Sequence, residues 1–539
     1  MFYELGGKVR YLTGIRGYLR ASLTPGEARE IVARELARRE ESFLRLARLG
    51  IYANPNSAFR KLLLAAGIDF DALDRLVRQL GLEEAVNRLY EAGVYLSYDE
   101  LKRRQPVKRP GLEFRVDPRG LDNPLLVGQY EVQSSGSRGA GSRSFTDLTL
   151  LAHEGAYYCL LLDAHGVRGR PVAIWGPEPP SFWGVNSWLR HAKAGNPPQR
   201  WFTPTRTQRR WERVRGSFVV LYTLAIARTA GKRFPWPRFV SQDQPLPIAS
   251  WLAEMKARGQ PALLDTSASS ATRVALLAKE RGLDIAGTVF RTGGEPLTPA
   301  KAAAIAAAGG RAINGYAATE LGVAGLGCAA PSELDDLHLV TDKVVVQARD
   351  KQVGEAGASV PALFFTTVLL NCRKVLINAE SGDYGRLEVR DCGCPLGEVG
   401  FSTHVLGLHG YDKLTSTGVS FQGSDLYDLV EQVLPARFGG DPLDYQLAEE
   451  EDEHGVPRVD IVIAPRVGTV DEDEVVETIL KALSGYDRRD RGPLMASQWR
   501  QTGTLRVVRR EPYAAGGRKV LPLHILDATA ARAAPEVGR

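Results

Sequence analysis

The chain is poor in the features that mark the special classes of protein. Five cysteines among 539 residues, Cys159, Cys328, Cys372, Cys392 and Cys394, are too few and too unevenly spaced to staple so long a chain, which excludes a disulfide scaffold. Apolar runs are short. Phe218 to Ala227 ends at Arg228, far below the ~20 residues that span a bilayer. Met1 to Arg20 carries charges throughout and lacks the apolar stretch of a secretory signal, so a cytoplasmic location with reduced thiols is expected. Neither sign of charge dominates: 69 Lys plus Arg stand against 63 Asp plus Glu, and a formal charge of +6 on so large a surface gives little pull toward polyanions. The most basic stretch, Arg206, Arg209, Arg210, Trp211, Arg213 and Arg215, reads as a solvated helix face rather than a nucleic-acid surface. Neither a nucleic-acid partner nor a membrane span is expected.

What is present is an ordinary globular composition, 44% apolar, enough to bury several cores. Residues 26–102 carry helical periodicity, as in Ala28, Ile31, Val32 and Leu36, broken at Asn54-Pro55 and Gly67. From about Leu125 to Gly407 short β-branched runs such as Val172 to Trp175 and Thr288 to Arg291 alternate with helical stretches such as Ser269 to Arg281 and Pro299 to Ala308, the signature of α/β layers. Beyond Gly407, strand patterns at Arg458 to Ala464 and Leu505 to Arg509 flank a helical one at Asp473 to Leu483. The expected fold is therefore α/β: a helical lead-in over 1–110, a large core of layered sheets and helices over 111–408, a smaller α+β domain over 409–527, and a frayed tail at 528–539.

Several motifs carry chemistry. Gln133-Ser134-Ser135-Gly136-Ser137-Arg138-Gly139-Ala140-Gly141-Ser142-Arg143 puts glycines and hydroxyls ahead of a helical segment starting near Thr146-Asp147. Such a loop turns backbone N–H groups toward an anion, helped by the helix start, although a flexible surface loop has the same composition. It is not a Walker loop, because no Gly-Lys-Ser/Thr follows. Cys328, His338 and Asp391-Cys392-Gly393-Cys394-Pro395 form a Cys3His set able to close a tetrahedral zinc site, or else a group of buried thiols like Cys159 and Cys372.

The order of these motifs resembles the adenylate-forming superfamily, and within it the phenylacetate-CoA ligase-like branch, over nearly the whole chain. Ser134-Ser135-Gly136-Ser137-Arg138-Gly139 is similar to its phosphate loop, and Arg291-Thr292-Gly293-Gly294-Glu295-Pro296-Leu297 to its Gly-Gly-Glu-Pro-Leu turn. Asn314-Gly315-Tyr316-Ala317-Ala318-Thr319-Glu320 resembles the adenine and magnesium motif, Ser381-Gly382-Asp383 the ribose motif, and Tyr411-Asp412 with Thr417-Gly418-Val419 the hinge region. Asn54 to Arg60 and Leu96 to Leu101 are similar to its early segments. The resemblance implies ATP and Mg²⁺ as cofactors, a small carboxylic acid as substrate, and CoA as leading acceptor, with an acyl-carrier protein or an amine as alternatives. It implies Tyr316 against adenine, Asp383 on the ribose hydroxyls, and Thr319 and Glu320 at the reacting phosphates, Glu320 holding magnesium. It further implies His409 at the ribose corner, Asp412 at the hinge of a mobile small domain, Gly418 on the acceptor tunnel, and structural zinc on Cys328, His338, Cys392 and Cys394. Glu511 to Val520 is similar to the late Gly-Lys loop. Lys519 is the implied catalytic cation and Arg518 its rival. His409 and Tyr411 stand where the family has an arginine and an aspartate, and the phosphate loop lacks the usual ending. A nucleotide-binding protein of this fold without turnover, and an acyl-protein synthetase feeding a reductase, are the other readings.

Overall fold

The protein was analysed as a computed structural model. It describes residues 2–525 apart from 127–129, 134–142, 179–181, 205–209, 233, 243, 354–357, 411–414, 417–418, 421–422, 452–456, 487–499, 501–504 and 516–518.

Six strands form an all-parallel sheet: β1 (Val172–Trp175), β2 (Arg200–Thr203), β3 (Pro237–Phe239), β4 (Leu263–Thr266), β5 (Val289–Thr292) and β6 (Arg311–Ile313), in the order β6-β5-β4-β1-β2-β3. A helix lies between each consecutive pair, as parallel strands require. Two of these helices matter below, α2 (Trp183–Lys193) and α3 (Ala268–Glu280), as does the preceding α1 (Leu148–Ala164). The strands read as unbroken apolar runs because both faces are covered. Ala173 and Trp175 pack into the core under α3, while Ile174 points to the opposite core with Trp188 and Val220. Chain direction across the sheet reverses between β1 and β4. In open parallel sheets the crevice at the carboxyl ends of such neighbours is where ligands bind.

A second sheet of seven antiparallel strands follows: β7 (Gly315–Ala318), β8 (Gly322–Gly327), β9 (Leu337–Leu339), β10 (Val344–Val353), β11 (Ala358–Thr367), β12 (Ala379–Val389) and β13 (Thr403–Gly410), ordered β7-β8-β9-β13-β12-β11-β10. The N-terminal helices cover it: Phe43, Phe59, Leu62 and Val77 share one core with Leu337, Leu363 and Phe365. Their breaks fall at Asn54-Pro55 and Gly67, as the sequence indicates. The segment before them, Phe2–Arg20, is helical too. A smaller four-stranded mixed sheet, β14 (Tyr445–Glu451), β15 (Pro457–Ile463), β16 (Leu505–Arg509) and β17 (Leu523–Ile525), packs on the helix Glu472–Tyr486 around Val475 and Ile479. The α/β architecture with a compact α+β unit at its end is as expected. No helix among the described residues is long and apolar enough to cross a membrane.

Candidate active site and metal centre

At the reversal point the β4 residue Thr266 donates to the carbonyl of Trp175 at 2.9 Å, tying the two strand ends together. Ser267 caps α3, and the next turn binds a carboxylate. Glu295, from the Gly-Gly-Glu-Pro-Leu segment, accepts from the Ser269 backbone N–H at 2.8 Å and from its hydroxyl at 2.7 Å. A carboxylate at a helix N-terminus satisfies otherwise unpaired donors and opposes the helix dipole. Gly294, preceding it, takes a left-handed φ of 83°. The same Ser269 hydroxyl lies 3.4 Å from both the N–H and the carbonyl of Val520. Val520 follows Lys519, whose backbone pairs with Ala515 in a short hairpin. Val520, at the end of the late lysine loop, thus meets the first turn of α3, where Glu295 is bound; Arg518 lies outside the described residues.

Tyr316 and Asp383, 67 residues apart, are joined: the Tyr316 hydroxyl donates to the Asp383 carboxylate at 2.7 Å. Burial, then the Asp383 charge, holds the phenol well above its usual range, so it remains a donor. Asp383 pairs across strands with Gly410 and its neighbour Tyr384 with His409, which brings the adenine, ribose and hinge-proximal motifs to one corner. His409 lies against Tyr384 and Tyr427, with its Nδ1 3.0 Å from the Gly407 carbonyl. Gly382 is required here. Its φ is +86°, and a Cβ would sit 2.5 Å from the Tyr98 ring. Tyr98 belongs to the early Leu96 to Leu101 segment, so that segment braces the ribose motif.

Glu320 is half-buried and paired with Lys102 at 2.9 Å. The Thr319 carbonyl accepts from Arg373 Nη1 at 3.1 Å. Neither partner is prominent in the sequence. Lys102 lies in a charged surface-like stretch, and Arg373 follows an unremarkable Asn371-Cys372.

The glycine-rich loop closes an antiparallel hairpin between Tyr130–Gln133 and Arg143–Thr146. Ser134, Ser135, Gly136, Ser137 and Gly139 lie outside the described residues, as do Asp412 and Gly418. The four-residue strand Arg143–Thr146, roughly 13 Å long, stands between the loop and α1, which begins at Leu148 as the sequence indicates. Its first turn is capped by Asp147, which accepts from Leu150 N at 2.8 Å. The alternation Arg143-Ser144-Phe145-Thr146 is the signal for that strand.

The four proposed metal ligands do converge. The sulfurs of Cys328, Cys392 and Cys394 and a ring nitrogen of His338 all lie within 4.8 Å of one another, assembled from the end of β8, from β9 and from the turn after β12. Cys328 Sγ and Cys394 Sγ are 4.0 Å apart, near the ~3.8 Å edge of a tetrahedron with 2.3 Å metal–sulfur bonds. His338 Nε2 stands 3.1 Å from Cys394 Sγ and 3.6 Å from Cys392 Sγ. Its other nitrogen, Nδ1, is 2.6 Å from the Phe401 carbonyl, which fixes the tautomer with Nε2 free to ligate. Burial pushes the imidazole down to about 4, keeping it neutral. The Cys394 thiol is lowered against its burial by backbone N–H groups of Gly397 and Ala329. The donor set therefore fits a tetrahedral N/S-binding ion. Behind it stands a buried His404, whose Nδ1 lies 2.6 Å from Asp336 Oδ1; Asp336 is also paired with Arg390.

A second buried cluster has no counterpart in the motif reading. Glu154, fully buried in α1, accepts from Arg190 of α2 at 2.6 and 2.7 Å and from Lys343 at 2.9 Å, and from the Val323 N–H at 2.9 Å. Burial alone would raise its carboxyl, but the two cations outweigh it and hold it below the usual range. Nearby, Asp265 of β4 binds Arg291 at 3.1 Å, His191 at 3.2 Å and Ser187. The lone carboxylate in the apolar run Leu148 to Leu162 is the sequence signal that marks such a network. The aromatics Tyr157, Trp188 and Trp201 are core residues, and Trp183 is half-buried.

Against known proteins, no family model and no curated protein matches this chain. Solved structures do. The chain shares its fold with structures of a CoA ligase. It is similar to a structure of 2-hydroxyisobutyryl-CoA ligase in the postadenylation state with a bound hydroxyacyl-AMP, at 16% identity over 92% of this chain and 91% of that one, TM-score 0.53. A second structure of that ligase, with 2-HIB-AMP, aligns over 95% and 92% at the same identity and TM-score. The fold expected from the ordered motifs is therefore borne out.

Proposed function

We propose that the protein is an AMP-forming carboxylate ligase. An acid carboxylate oxygen attacks the α-phosphorus of Mg·ATP; the bond to the pyrophosphate oxygen breaks and pyrophosphate leaves, giving acyl-AMP. A thiol then attacks the acyl carbon, the bond to AMP breaks, and the thiol proton is released. CoA is the leading acceptor, ahead of a carrier-protein phosphopantetheine. The observation that carries this reading is the Tyr316–Asp383 hydrogen bond, which joins the adenine and ribose motifs in a fold whose solved neighbours hold an acyl-adenylate. The branch resembling phenylacetate-CoA ligases rests on the motifs alone.

In this reading Tyr316 offers its ring to adenine and Asp383, held in place by the phenol, offers its carboxylate to the ribose hydroxyls. Glu320 would hold magnesium, a hard cation suited to one or two protein carboxylates, which would lower the charge repulsion at the phosphates; Lys102 places that carboxylate beforehand. Lys519 supplies the cation at the reacting phosphate. Residues 111–408 form the adenylation core and 409–527 a domain that turns about Asp412 between the two half-reactions, carrying Gly418 toward the acceptor. Cys328, His338, Cys392 and Cys394 hold zinc, which cross-links β8, β9 and the Cys-x-Cys turn; four protein ligands leave no place for a reacting water.

Acid-dependent exchange of labelled pyrophosphate into ATP, across a panel of aliphatic, aryl and amino acids, tests the function. Exchange with at least one acid is expected, and its absence with every acid in protein that binds ATP overturns the reading. Lys519→Ala should slow that exchange by ~10²–10³, about 2.7 to 4 kcal/mol, the loss seen for one preorganised donor. Chemically made acyl-AMP should still be converted by the variant. Normal exchange in Lys519→Ala with a severe loss in Arg518→Ala would transfer the role to Arg518.

A further inference from the structure

The interior behind Thr319-Glu320 carries more positive than negative charge. Arg190 and Lys343 share a single carboxylate, Glu154, both of whose oxygens are taken up by these cations and the Val323 N–H. Arg373 adds a third cation, 6% exposed, and Glu320 in front is already paired with Lys102. Four cations, Lys102, Arg190, Lys343 and Arg373, thus face two carboxylates, Glu154 and Glu320, leaving an excess of two positive charges. Arg373 is the member without a salt-bridge partner among the described residues. Its Nη1 reaches only a carbonyl, that of Thr319, and its buried Nε has no hydrogen-bond partner among the described residues. Burial holds its guanidinium below its ordinary value, and Glu154, Arg190 and Glu320 are near enough to act on it. Tyr130 and Asn186, hydrogen-bonded to each other, add polar groups on that side.

A buried guanidinium with an unmet donor is costly, and a carboxylate is the group its planar fork matches. The reacting carboxylate cannot fill that role throughout, because it becomes a neutral acyl group on forming the adenylate. We propose that Arg373 binds a second carboxylate on the acid substrate: the ligase activates dicarboxylic acids, one carboxylate reacting while the other remains ionised on Arg373 with Arg190 and Lys343 behind it. This rests on the ligase reading above.

Matched pairs test it, each a monocarboxylic acid and the dicarboxylic acid of the same chain length or ring, from three to eight carbons and aryl, in pyrophosphate exchange. Wild-type protein should prefer the dicarboxylate of the best pair by at least ten-fold in kcat/KM. Arg373→Met should erase the preference, chiefly through KM, and Arg373→Lys should restore part of it. Dicarboxylate should also raise the melting temperature of wild type and not of Arg373→Met. If monocarboxylates exchange as well as or better than their dicarboxylate partners in wild type, the proposal is overturned while the ligase reading stands, and this comparison holds even if Arg373→Met does not fold. If no acid of either kind supports exchange, the ligase reading itself has failed.

Discussion

The two buried polar clusters solve one electrostatic problem in opposite ways. Around Cys328, His338, Cys392 and Cys394 the chain collects four soft donors at 3.1 to 4.0 Å, with no cation of its own among them. Around Glu154 it brings its own cations, Arg190 and Lys343, to 2.6 to 2.9 Å. The first arrangement is completed from outside and depends on supply of an ion; the second is closed on one side and left with positive charge in excess on the other, at Arg373. A buried charge must be compensated in either case, and the difference lies in who provides the partner.

The most severe test of the self-compensated cluster is Glu154→Gln, which leaves Arg190 and Lys343 buried without a counter-charge. A loss of about 3–5 kcal/mol in denaturant unfolding is expected. The double variant Glu154→Gln, Lys343→Met should be less destabilised than Glu154→Gln alone, because one stranded charge is gone; an additive or larger loss would mean the cluster does not behave as an electrostatic unit. For the other cluster, purified protein should hold about one zinc per chain, and Cys394→Ser should lose it. A metal present at one hundred times its dissociation constant contributes about 2.7 kcal/mol, so a comparable drop in stability is expected on substitution or chelation. Zinc near zero in protein made in zinc-replete medium, or unchanged zinc in Cys394→Ser, removes the externally completed member of the comparison. The half-exposed Tyr316–Asp383 pair should respond least. Tyr316→Phe removes one hydroxyl and should raise KM for ATP ~5-fold, about 1 kcal/mol, with little change in unfolding; Asp383→Ala should weaken ATP more. Unfolding losses in Tyr316→Phe as large as in Glu154→Gln would erase the distinction between interior and corner.

How much of this the sequence reveals follows the range of the interactions. The strand Val172–Trp175 is visible as an apolar run, Leu505–Arg509 as a short β-branched stretch, and the helix Pro299–Ala307 through the Thr298 cap and the proline at its first turn. The corner of Tyr316, Asp383 and His409 is visible as motifs, because each lies in a short string of distinctive residues. The pairings Lys102–Glu320 and Arg373–Thr319 are not, since a lysine or arginine in a charged or neutral context says nothing of a partner 218 or 54 residues away. The helix Phe2–Arg20 falls within the expected helical lead-in, but charges scattered along it hide which face, that of Ile15 and Leu19, is buried. The strand after the glycine loop is hidden by its shortness.

Gly322 shows what the buried cluster demands of the surrounding chain. Its φ is +77°, and a Cβ there would lie 2.1 Å from a Glu154 carboxylate oxygen and 3.0 Å from Lys343 Nζ. Two independent vetoes, one steric and one conformational, apply to every other amino acid at this position, two residues beyond Glu320. No compensating change at a single neighbour lifts both. In a library of all single substitutions scored for folded protein, position 322 should therefore be empty of tolerated variants, while Val389, 75% exposed on the same sheet, accepts nearly all. The ion cluster thus sets a local limit on how far the segment after Glu320 can diverge, whatever acid the site comes to favour.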